Sequence, residues 1–140
     1  MKTLMVFTLL LGLIALSGML FSRPPSEDDV RGQALAVSFG IFRRAAWQFA
    51  HDNPEHQGAI PANALTLPDG MNTERWQARM NNGVCYVWGE IPGMEIGAIL
   101  NQYHNSQAMG QAQSGTLHPW GDILPDFIPA GALVSLMEVQ

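Results

Sequence analysis

Apolar side chains run almost unbroken from Leu4 to Phe21, and no charge falls between Thr3 and Ser22. A helix rises ~1.5 Å per residue, so about 20 such residues reach ~30 Å, the depth of a bilayer's hydrocarbon core. The pattern predicts an N-terminal membrane anchor over residues 1–23 and a folded domain over 24–140. A cleaved signal peptide competes with it, since Ala15 and Ser17 suit a cut before Gly18. The run continues past that point, however, and exceeds the ~7–15-residue core of a typical signal. Lys2 precedes the segment and Glu27-Asp28-Asp29 follows it. This places the N-terminus inside and the domain outside the cytoplasm. The expectation is a single-pass protein of the bacterial inner membrane with a periplasmic domain.

Beyond Pro24-Pro25 the period changes. Ser26 is a hydroxyl cap with three acids behind it, where they favour the positive end of a helix. Val30, Ala34, Val37, Ile41, Ala45 and Phe49 then recur at helical spacing, interleaved with Leu35, Phe42 and Ala46, up to the Asn53-Pro54 breaker. Gly58 to Pro61 reads as a turn, and Ala64 to Leu67 as a short extended piece. Thr73 to Met80 reads as one or two helical turns carrying Trp76. Asn82-Gly83 is a turn signal, and Val84 to Trp88 is the clearest strand. Met94 to Tyr103 is a short amphipathic helix. Asn105 to Gly115, rich in Gln, Ser and Gly, reads as a loop or a lip for a partner. The stretch from His118 to Pro129 is irregular, and Gly131 to Val139 is a strand. The fold class is α+β: after an N-terminal transmembrane helix, a long helix packed on a few-stranded, mostly antiparallel sheet, in a pilin-like layout.

Charge narrows the function. The net charge is −5, and no Lys or Arg follows Arg79. Phosphate neutralisation needs clustered cations, which excludes nucleic acid as a partner. The lone Cys85 lies in an apolar strand, as a small buried hydrophobe does. His51, His56, His104 and His118 have no zinc-ligand spacing, and no nucleophile motif, phosphate loop or cofactor signature occurs. No catalytic, metal or cofactor residue is assigned. Glu90, Glu95, Asp122 and Asp126 keep open a second reading, an enzyme acting on cell-wall glycan, if two of them share a cleft. A third is a soluble secreted binding protein after signal cleavage. Trp120, in a His-Pro-Trp-Gly loop beside the Gln-rich stretch, is the best candidate for anchoring a partner protein, with His118 and Tyr103.

The chain also resembles a known family. The N-terminal Leu-rich segment, the Phe49–Gly58 region, Leu65-Thr-Leu-Pro-Asp-Gly70, Asn82-Gly-Val-Cys-Tyr-Val-Trp88 and Leu124-Pro-Asp-Phe-Ile-Pro-Ala-Gly-Ala-Leu133 are similar to the small PilM proteins of conjugative-plasmid type IV (thin) pilus systems. The resemblance implies a non-enzymatic inner-membrane protein of the pilin transport apparatus or basal body, with other pilus-assembly proteins as partners. It brings no site residues. A pilin itself is a poorer match, because no acid occurs before Glu27 to stand near the start of a processed pilin helix.

Overall fold

A computed structural model describes residues 8, 9, 13, 14, 24, 26–104 and 106–139. The anchor expected over residues 1–23 lies outside these, apart from four positions. No helix of the described residues is long and apolar enough to cross a membrane.

From residue 26 onward the described residues form two α-helices and one antiparallel sheet. The long helix α1 spans Glu27–Asp52 and starts where its cap requires. The Ser26 hydroxyl accepts the Asp29 N–H at 3.2 Å, and the Asp29 carboxylate accepts the Ser26 N–H at 3.1 Å. Two orphan donors are thereby satisfied in a reciprocal box. The short helix α2 spans Gly93–Gln102. The strands are β1 Gly58–Ile60, β2 Trp76–Asn81, β3 Val84–Gly89, β4 Met109–Gln113, β5 Thr116–His118, β6 Asp122–Ile123 and β7 Leu133–Glu138.

The sheet has seven strands in the order β1-β2-β3-β7-β4-β5-β6, and every pairing is antiparallel. It is larger than the few strands expected, because five strands beyond β3 and β7 pair that the pattern alone left out, β5 and β6 among them. Thr73 to Met80 is not helical: Trp76, Ala78 and Met80 alternate inward with Gln77 and Arg79 outward, the period of a strand with one buried face. Gly58–Ile60 is an edge strand rather than a turn, and Ala62–Ala64 winds into a 3₁₀ turn that reaches the first residue of the expected extended piece, with Leu65 after it extended. The Gln-rich stretch is not a loop, since Met109–Gln113 forms β4 and holds β7 on one side and β5 on the other. Asn82-Gly83 and Ser114-Gly115 close the β2–β3 and β4–β5 hairpins with positive φ at both turn residues. That geometry matches the twist of the strands they join.

Two cores result. Between the helices and the sheet lie Phe39, Phe42, Trp76, Met80, Val87, Ile99, Met109 and Leu133. On the far face of the sheet Tyr86, Trp88, Leu117 and Val134 are covered by the 124–132 segment through Leu124, Phe127 and Ile128. That segment is irregular, as expected up to Pro129, and the last strand starts at Leu133 rather than Gly131; it is pinned by Leu124 N–H donating to Gly115 O at 2.8 Å and Gly131 N–H to Ala112 O at 2.7 Å.

Candidate interaction surface

Helix α1 is apolar on two opposite sides. Gly32, Ala36, Phe39, Phe42, Ala46 and Ala50 are buried against α2 and the sheet. Val30, Ala34, Val37 and Ile41 repeat the same spacing two residues out of step, which is about 200° around a helix of 3.6 residues per turn. They are exposed, Val30 and Val37 by more than half of their surface. This reverses the expectation that these four belong to the core-facing stripe. The inner face is lined largely by small residues, which lets the helix lie close to its neighbours. Two polar side chains share the inward flanks: Ser38, whose hydroxyl accepts the Trp76 indole N–H at 2.8 Å, and Arg43, whose Nε donates to the buried Ser135 hydroxyl.

Toward the C-terminus of α1 the outer stripe runs into a groove of about 610 Å³. Ile41, Ala45 and Phe49 form its helix wall, Ala64 and Pro68 the other, with Arg44 on the rim. Stripe and groove together follow α1 from Val30 to Phe49, which is ~29 Å of helix at ~1.5 Å per residue. Scattered exposed apolar residues are ordinary on a protein surface, but a contiguous row with a groove at its end marks a contact site.

The residues expected to bind a partner fall on two parts of the fold, Tyr103 at the end of α2 and His118 and Trp120 at and just after the end of β5. Tyr103 caps α2 and turns inward: its hydroxyl donates to Ala36 O at 3.0 Å, and its ring meets Phe39 edge-on at 6.5 Å. Burial pushes its phenol above the usual range, with nearby Arg43 opposing. Trp120 keeps 40 % of its surface exposed, but its indole N–H is committed to Met109 O at 2.9 Å. His118 is exposed at the end of β5, opposite Gln111. Tyr103 thus serves the helix pair and Trp120 braces β4.

The four acids stand on separate elements. Glu95 is buried on α2, 4.0 Å from Arg31. Asp122 is on β6, and Glu90 and Asp126 are exposed, after β3 and in the 124–132 segment. Among the described residues no three of His, Cys, Asp and Glu are grouped as a metal site. Cys85 is fully buried in the main core, and burial pushes its thiol up to about 12, with Arg43 pulling the other way.

The family model named PilM matches residues 6–136, nearly the whole chain. The chain belongs to the PilM family. That family ties it to pilus biogenesis. The fold is similar to that of a crystal structure of the protein PilM from Escherichia coli B7A, at 21% identity and a TM-score of 0.61. The likeness covers 84% of this chain and 100% of that one. Among curated proteins none matches the chain. The outer face of α1 is the exposed apolar surface that the sequence reading assigned to the core. Its signal was present: apolar positions on two opposite sides of one helix leave no clear polar face.

Proposed function

We propose that this PilM protein is a non-enzymatic assembly component that presents the outer face of α1 to another protein of the pilus machine. The supporting observation is the second apolar row, Val30-Ala34-Val37-Ile41, which the fold leaves exposed while a separate row serves its own core. Such a row, ending in a groove, suits an amphipathic helix laid alongside it with anchors at i, i+3, i+4 and i+7. In this reading residues 1–23 tether the chain to the inner membrane, and the domain works in the periplasm as a scaffold of the pilin transport apparatus or basal body. Role and chemistry agree, because scaffolding needs a contact surface and a fixed address.

The test is site-specific photo-crosslinking in piliated cells, with a benzophenone side chain at Val37 and, as comparison, at Trp120. A discrete adduct containing a pilus-machine protein from Val37, together with loss of pili in Val37→Asp, supports the reading. Normal piliation in Val37→Asp with no adduct at Val37 defeats it.

A further inference from the structure

On the face of the sheet turned away from the helices, the end of β2 and β3 and the 124–132 segment enclose a second groove of about 610 Å³. This lies within the ~300–1,000 Å³ range of small-ligand sites. Its rim carries Asn72, Glu74, Arg75, Gln77 and Glu90. The Asn72 side-chain oxygen Oδ1 accepts the Glu74 backbone N–H at 2.9 Å. The side chains of Glu74, Arg75, Gln77 and Glu90 make no hydrogen bond or ion pair with any described residue. Two carboxylates, a guanidinium and a carboxamide therefore converge on the opening without being used by the fold.

The wall behind them is rigid. The Phe127 ring is tilted on Trp88 at 5.4 Å, meets Tyr86 edge-on at 5.6 Å and lies under the Arg79 guanidinium at 4.7 Å. Pro129 continues that wall. A ligand meets a preformed surface and does not have to order it.

We infer that this groove binds a polyhydroxylated glycan chain. A sugar hydroxyl both donates and accepts. The rim answers with acceptors from Glu74 and Glu90, donors from Arg75, and both from Gln77 and the amide of Asn72. Aromatic and proline surface beside such a rim suits the C–H faces of sugar rings. A peptide fits less well. The strand β3 lies between β2 and β7, and β1 leaves only Trp76 and Gln77 of β2 without a partner on its side, too short an edge for β-addition. Trp88 is buried and Phe127 half-buried, so no deep apolar socket receives a side chain. Rim charges of both signs select neither an acidic nor a basic segment. The inference does not depend on the partner surface of α1, which lies across the sheet.

The experiment is calorimetric and fluorescence titration of the full-length chain with two probes, an N-acetylglucosamine hexamer and cellohexaose. Saturable binding of either is expected. Gln77→Ala combined with Glu90→Ala should weaken it at least about 10-fold, a loss of ~1.4 kcal/mol, with the melting temperature kept. Should the double variant melt early, Glu74→Gln provides the same reading at one exposed site. Val37→Asp should bind as tightly as the parent. Failure of both sugars to saturate in the millimolar range overturns the inference. So do rim variants that bind unchanged, or a lysine-rich peptide that occupies the groove and is not displaced by sugar.

Discussion

Arg43 and Ser135, 92 residues apart in the chain, join the long helix to the middle of the sheet through a single hydrogen bond from Nε to Oγ. Ser135 is fully buried and has Val87 and Met109 as its neighbours across β3 and β4. A hydroxyl at that depth in an apolar sheet is tolerated because the guanidinium reaches it, and a guanidinium on that flank of α1 is tolerated because the hydroxyl answers. Ser135→Ala should strand the partly buried donor and destabilise the domain by about 1–2 kcal/mol in urea unfolding. A cost within error of zero would mean that Arg43 turns to solvent in the variant.

Gly40 and Tyr103 make a second pair that a double-mutant cycle can resolve. A Cβ placed on Gly40 would overlap the Tyr103 hydroxyl but would only touch the ring carbon that bears it. Gly40→Ala alone should destabilise, against the ~1 kcal/mol that alanine normally gains over glycine inside a helix. Tyr103→Phe alone loses the bond to Ala36 O, about 1 kcal/mol. With the hydroxyl gone, Gly40→Ala should become neutral or stabilising, so the two changes together cost less than their sum. Strict additivity of melting shifts would refute the contact.

Cys85 makes the stability fall at alkaline pH. Its folded-state thiol is raised to about 12 by burial, above the unfolded reference of 9.0. Below pH 9 both states hold the proton and stability is unaffected. Above it the unfolded chain ionises first and binds fewer protons than the folded one, so stability drops as pH rises from about 9 toward 12. Urea midpoints should decline over that window in the parent and decline less in Cys85→Ala, with Tyr86 and Tyr103 adding their own loss above 10 in both. The native thiol should also resist alkylating reagents at pH 8 until denaturant is added.

Val37→Asp should separate folding from binding. More than half of this side chain is exposed, and it faces away from both cores. The change should alter unfolding free energy by no more than about 0.5 kcal/mol. A large loss of stability would show that the outer row is structural, and the piliation test would then need Ile41→Lys as its probe.

The legible parts of the fold were those with a local cause. The α1 start followed from Ser26 and its acids, the β2–β3 turn from Asn82-Gly83, and β3 from its β-branched and aromatic run. The edge strand β1 and the strand β4 were not legible, because glycine- and glutamine-rich segments take strand form only when a neighbour supplies the ladder. The strand β2 was misread because Trp76, Ala78 and Met80 alternate with Gln77 and Arg79, whose long stems suit a helix equally well. Assigning the faces of α1 needed the sheet itself. Phe39 and Ala36 turn inward because they fit the space above Trp76 and beside Tyr103, and Val37 and Ile41 are then carried outward. The bonds from Trp120 to Met109 and from Tyr103 to Ala36 likewise join segments that only the fold brings together.

The position of β7 bears on how the molecule comes into being. The last strand in chain order lies at the centre of the sheet, bridging β3 and β4. Until residues 133–138 arrive, β1-β2-β3 and β4-β5-β6 are two separate ribbons with exposed edges and half a core each. Ribosomal synthesis delivers those residues after both ribbons, so the central ladder of the sheet forms last. An early stop codon before Leu133 would therefore leave two aggregation-prone ribbons and no shortened domain.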